Sequence, residues 1–203
     1  MRKVLYAAML WLLSLTTATA QTVALNSDGL DTAYVESIVK RSQKIVDGLN
    51  LSNAQQAEAV RNIIANRYFL LNRIHEANKD NADKRDAELY KHHFELQSAL
   101  SLYLTDEQVD AVKDGMTFGR LKRDYQATQD MIPTLSDFEK QQILIWLKEA
   151  REYAMDAADS KGKHYWFDKY RGRTNNWLSA RGYDLKKERD EWMKRIEKEK
   201  EKK

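Results

Sequence analysis

Residues 135–155 read LSDFEKQQILIWLKEAREYAM, and this stretch decides the fold class. Ser136 followed three positions on by Glu139 is a capping box, in which a serine side chain and a returning carboxylate satisfy amides at a helix start. Ile143, Leu144, Trp146, Leu147, Ala150 and Ala154 then recur at helical spacing. Working outward, the same punctuation returns at Leu51-Ser52 with Gln55 and at Leu104-Thr105 with Gln108. An internal repeat would explain this. The plainer reading is adopted: good helix starts look alike because all must satisfy orphan amides.

The other segments follow the same period. Tyr34, Val35, Ile38, Val39, Ile45 and Val46 make a stripe over 31–47, stopped at Gly48. The Ser52 helix carries Val60, Ile64, Leu71 and Ile74, interrupted by Arg67. A third helix is expected over about 83–103, with Leu89, Phe94, Leu96, Leu100 and Tyr103 on its apolar side. Val109 and Val112 lead on to Gly115. Residues 116–134 break the rhythm: Gly119 interrupts, and Pro133 forces the preceding residue out of the helical region. This stretch reads as a long irregular loop. A helix over about 163–180 is stopped by Gly182, and Asp184 can cap a last one. The expectation is an all-α fold, a single-domain bundle of six to seven helices over 21–185. The loop at about 116–134 is expected over the 137–159 and 163–180 helices. A charged tail, 186–203, reads as a solvated, fraying helix or disorder.

Composition narrows the chemistry. The 203 residues contain no cysteine, which excludes a disulfide scaffold, a thiol nucleophile and a Cys-zinc site. Met1-Arg2-Lys3, the apolar run Val4–Leu15 and Ala18-Thr19-Ala20 have the layout of a signal peptide cleaved after residue 20. The run is short for a membrane span, which needs about 20 apolar residues. A periplasmic or secreted protein with no membrane attachment after cleavage is expected. The formal net charge is +3. Two of its basic groups leave with the leader, and residues 186–203 hold nine basic against six acidic groups, so the folded part is slightly acidic. No nucleic-acid partner is expected.

No HExxH, GxSxG, Gly-rich phosphate loop or dinucleotide fingerprint occurs. His92 and His93 are adjacent, so on a helix they point about 100° apart. His164 and Asp168 stand at i and i+4 without a third ligand nearby. Neither a metal nor a cofactor is expected. Glu149, Glu152 and Asp156 share one helix face and could supply a general acid and base, although a solvated face beside Lys148 and Arg151 is the plainer reading.

The unusual segment is 163–178, KHYWFDKYRGRTNNWL, where aromatic rings alternate with Arg and Asn. On a helix His164, Asp168, Arg171 and Asn175 form one stripe, and Trp166, Tyr170, Arg173 and Trp177 another. Phe167, Tyr170, Thr174 and Leu178 form the inward face. Rings beside planar polar groups suit a sugar, whose C–H faces lie on Trp or Tyr while Asp, Asn and Arg bond its hydroxyls. Against this, aromatics at helical spacing usually belong to a core.

Several strings resemble a known family. They are Ile74-His75-Glu76, Gly115-Met116-Thr117-Phe118, residues 129–135, residues 146–156, residues 169–178 and Gly182-Tyr183-Asp184. Together, from about Tyr34 to Asp184, they resemble an uncharacterised family of exported bacterial proteins, a domain of unknown function whose label points to sugar binding. The resemblance implies a carbohydrate context and polysaccharide utilisation, and it brings no catalytic residues. More weakly, Leu51-Ser52-Asn53-Ala54-Gln55 and Leu104-Thr105-Asp106-Glu107-Gln108 resemble the paired motifs of Spy-type periplasmic chaperones. A non-catalytic exported protein that binds carbohydrate is expected. Its ligand-binding residues are His164, Trp166, Tyr170, Arg171, Arg173, Asn175 and Asn176, with His75, Tyr125 and Asp130 as outer candidates. The alternatives are a Spy-like chaperone, which requires an exposed concave apolar surface, and a glycan lyase or hydrolase using Glu149, Glu152 or Asp156 with His164.

Overall fold

The computed structural model of the chain describes residues 22–201. Nine helices follow one another among them: α1 (Thr32–Asp47), α2 (Ala54–Ala77), α3 (Ala82–His92), α4 (Glu95–Leu100), α5 (Asp106–Met116), α6 (Arg120–Met131), α7 (Asp137–Met155), α8 (Ser160–Ala180) and α9 (Leu185–Lys200). The described residues contain no strand, so the chain is all-helical as expected. The signal-peptide segment lies outside the described residues. No helix among them is long and apolar enough to cross a membrane.

Local chemistry explains most helix starts. The boxes at Thr105/Gln108 and Ser136/Glu139 are complete, each side chain meeting the other residue's backbone amide. The expected box at Ser52 is not formed. Asn53 caps α2 instead, accepting from the Gln56 amide at 3.0 Å. Asp184 caps α9, and Asp159 starts α8 by accepting from the Gly162 amide. Side-chain oxygens do this because the first helical amides have no carbonyl partner within the helix.

Two expectations need correcting, which is why the helices number nine rather than six or seven. First, the 116–134 stretch is not a long loop. Phe118 and Gly119 take left-handed backbone (φ 61° and 63°), turning the chain tightly into α6. Leu121, Tyr125, Thr128 and Ile132 then face inward at spacings of four, three and four. Only Leu121 and Ile132 are strongly apolar, so the period is faint in sequence. Ile132, ahead of Pro133, leaves the helical region (ψ 82°) and ends the helix. Second, the 83–103 segment breaks at His93-Phe94 into α3 and α4. There the His92 carbonyl accepts from Arg67 at 2.8 Å.

The core has two apolar clusters. One gathers Ile38, Val60, Ile64, Phe69, Leu100, Val112 and Met116 from α1, α2, α4 and α5, and α7 adds Met155. The other gathers Leu121, Ile132, Leu135, Ile143, Leu147, Phe167 and Leu178 from α6, α7 and α8 and their connections. Buried arginines link the layers. Arg151 on α7 donates to Asp114 at 2.9 Å and Asp110 at 2.7 Å on α5. Arg120 on α6 reaches Asp168 at 2.9 Å on α8. The charged tail is helical through Lys200 and anchored: Arg195 donates to the Asp130 and Met131 carbonyls at the end of α6.

Candidate functional site

A groove of about 700 Å³ opens between α3 on one side and the end of α7 with the start of α8 on the other. Its polar floor is built around Asp156, which follows the last residue of α7. The buried Arg67 donates to Asp156 Oδ1 at 2.5 Å, across 89 positions. Asp156 Oδ2 accepts from His93 Nδ1 at 2.6 Å, and the Asp156 carbonyl accepts from His75 Nε2 at 2.8 Å. Both acceptors are oxygens, so each histidine donates through the nitrogen that meets Asp156, Nδ1 of His93 and Nε2 of His75.

Glu152 stands one helical turn before Asp156. Lys113 donates to both its oxygens at 3.0 Å, and Gln97 accepts from the same ammonium at 2.9 Å. Glu152 Oε2 lies 3.7 Å from His93 Nε2. Glu149, one turn further back, pairs with Arg173 at 3.5 Å. It also hydrogen-bonds the Tyr170 phenol, whose pKa is pushed well up, by burial first and by Glu149 second. Below the floor, burial pulls the Lys163 ammonium down to about 8, although Asp156 works the other way. Lys163 donates to the Ala154 carbonyl at 3.3 Å.

Aromatic rings make the walls. Tyr153 stacks on Trp166 with centroids 4.5 Å apart and planes 18° apart. Lys169 lies 4.7 Å over the Trp166 ring. On the α3 side Tyr90 and Phe94 meet edge to face at 6.2 Å, and Phe94 meets the His93 ring at 4.9 Å. Tyr90 is 73% exposed, Phe94 63% and Tyr153 48%. Phe94 therefore does not join the core as its place on the expected stripe implied. A groove between two ring-bearing walls with a hydrogen-bonding floor can hold a flat, hydroxyl-rich ligand. Among the described residues, no group of three or more His, Asp and Glu is arranged to hold a metal ion.

The segment singled out in sequence wraps around α8 and only part of it reaches this groove. Its inward face is as expected: Phe167, Tyr170, Thr174 and Leu178 are buried. Trp166 lines the groove. Tyr170 lies behind it, 6.4 Å from the Tyr153 ring. Arg173 sits over the Trp146 ring at 4.7 Å. His164 belongs to another face: its Nδ1 accepts from Arg120 at 2.9 Å, and its ring stacks on Phe118. Exposed Arg171 pairs with Asp168 at 3.3 Å. Asn175 is half-buried and Asn176 exposed, and neither lines the groove. Of the outer candidates His75 lines it, while Tyr125 and Asp130 are on α6.

The carboxylate trio Glu149, Glu152 and Asp156 does line the groove, but the histidines beside it are His75 and His93, not His164. The residues that sequence reasoning missed are His93, Tyr90, Phe94 and Tyr153. For Tyr90, His93 and Phe94 the signal was a Tyr-x-x-His-Phe string among polar residues; Tyr153 lay within the 146–156 string without being singled out.

No curated protein matches this sequence. A family model does, over residues 35–85 and 78–198, and so takes in most of α9, beyond the Asp184 limit read from the motifs. On that match the chain belongs to the family described as proteins of unknown function, DUF3826.

Proposed function

We propose that this is an exported, non-catalytic carbohydrate-binding protein serving polysaccharide utilisation, and that the sugar lies in the groove between α3 and the α7–α8 turn. The observation that carries the reading is the pairing of exposed rings with a half-buried polar floor. Tyr90, Phe94 and Tyr153 leave large apolar surfaces in solvent beside His75, His93 and Glu152. Such faces are costly unless something covers them, and sugar C–H faces do so while hydroxyls meet the floor. The binding residues on this reading are Trp166 and Tyr153 at the α7–α8 wall, backed by Tyr170 and Arg173.

Charge pairing favours binding over cleavage. A glycosidase of the usual kind needs one carboxyl group kept protonated as the acid. Here Lys113 pairs with Glu152, Arg67 with Asp156 and Arg173 with Glu149, so each of the three carboxylates is already engaged by a basic side chain. A glycan array probed with the chain lacking residues 1–20 tests the reading. Binding that Tyr153→Ala weakens is expected. Silence across the array with suppression of client aggregation would replace it with the chaperone reading. Release of new reducing ends from a bound glycan would replace it with an enzyme.

A further inference from the structure

We infer that the groove is one end of a longer binding seam along α7 and α8, so that the ligand is an extended glycan chain several units long and not a mono- or disaccharide. The inference rests on the carbohydrate reading above and gives its ligand a size.

The short turn at 156–159 folds α7 and α8 into an antiparallel pair packed along its length. Along one edge of the pair α7 places Phe138, Trp146, Glu149 and Tyr153, and α8 places Trp166, Tyr170, Arg173, Trp177 and Arg181. Steps of three, four and eight positions keep each set on one helix face. Across the pair they meet in order. Tyr153 stacks on Trp166, and Glu149 pairs with Arg173. Arg173 lies over the Trp146 ring at 4.7 Å. Trp146 meets Trp177 edge to face at 5.2 Å. Trp177 meets Phe138 at 6.3 Å, and Arg181 lies over both rings. Glu149, Tyr153 and Trp166 line the groove, so this line of contacts begins inside it and continues to the start of α7. Phe138 and Tyr153 are fifteen positions apart, which is about 22 Å of helix at about 1.5 Å per residue. A single sugar ring covers only a fraction of that length.

The groups on the seam are reachable and held in place. Phe138 and Tyr153 are exposed, Trp146 and Trp177 half-buried, and Arg173 and Arg181 exposed. A guanidinium laid on a ring turns its N–H donors outward in its own plane. Of the donors of Arg181, the bond to Glu139 occupies Nε alone. Rings for C–H faces and planar donors for hydroxyls thus recur along the seam as they do in the groove. Its shape selects a linear chain over a protein: a stable protein partner covers about 20–30 residues a side, whereas the seam is one side chain wide on each helix.

Chain length tests the inference. The chain lacking residues 1–20 is titrated calorimetrically with two-unit and six-unit oligosaccharides of 1,4-linked glucose, xylose and mannose, and with the same two lengths of any other glycan that binds on the array. For at least one sugar the six-unit chain is expected to bind about thirtyfold or more tighter than the two-unit one, because contacts linked in one ligand reinforce each other. Phe138→Ala should lower that ratio about fivefold or more, whereas Tyr153→Ala should weaken both lengths. Arg173→Ala is the second variant, should Phe138→Ala fail to fold. A ratio of about fivefold or less, which the extra registers of a longer chain supply on their own, overturns the seam and leaves the groove as a carbohydrate site. A larger ratio that the folded variant leaves unchanged does the same. Absence of binding at either length, across the panel and the array, removes both.

Discussion

Arg67 and Asp156 form an ion pair of 2.5 Å between the middle of α2 and the residue that follows α7, with both side chains largely out of solvent (4% and 14% exposed). The same guanidinium holds the His92 carbonyl where α3 ends. One arginine therefore fixes both walls of the groove. It is the residue that interrupts the α2 apolar stripe, so its place in sequence and its task agree.

Removing Arg67 strands the Asp156 carboxylate and the His92 carbonyl. Arg67→Ala should cost about 3–5 kcal/mol of unfolding free energy, the usual loss when one member of a buried pair is deleted. Urea titration measures it. A loss below about 1 kcal/mol would mean that Asp156 is not sealed from water.

Ring truncation should separate the groove from the rest of α8. Tyr153→Ala removes the exposed ring that stacks on Trp166 and should weaken glycan binding about tenfold. Arg171→Ala and Asn176→Ala, at exposed positions outside the groove, should change it by less than about twofold. Calorimetric titration of the three variants distinguishes these outcomes. Equal losses in all three would shift the site to the outer face of α8.

Acid should act through Glu139. Arg181 at 2.7 Å, the Tyr183 hydroxyl at 2.8 Å and the Ser136 amide at 2.8 Å hold its carboxylate. Led by Arg181, they lower its pKa from 4.5 to about 2. A depressed carboxylate pKa adds stability that is fully present above the unfolded value, so this part is lost as pH falls from about 4.5 toward 2. Denaturant midpoints across that window should drop less in Glu139→Gln than in the parent chain.

Alkali should act in the opposite sense through Lys163. Burial brings its pKa from 10.5 down to about 8, so between these values the unfolded chain binds more protons than the native one. Stability contributed at this site therefore rises with pH from about 8 to 10.5. Lys163→Met should flatten that rise and, at pH 7, cost little or stabilise, since it removes a charge from a buried position. Thermal unfolding at pH 7 and pH 10 checks both statements.

The helical class, the boxes at Thr105 and Ser136 and the inward face Phe167, Tyr170, Thr174 and Leu178 were all legible along the chain. Capping and period are short-range properties: a cap concerns residues three apart, and a buried stripe concerns residues three and four apart. Where the local signal thinned, the reading failed. The α6 stripe carries only two strong apolar residues, and the break after His92 depends on a partner 25 positions away.

The groove belongs to the tertiary structure alone. His93 and Asp156 are 63 positions apart, Arg67 and Asp156 89, and Lys113 and Glu152 39. Nothing local links these pairs. The sequence by itself determined that α8 would bury one face and present rings and cations on the others. Which of those groups face a cavity depended on how α2, α3, α7 and α8 pack, because helix packing, not helix formation, sets the distance between side chains on different elements.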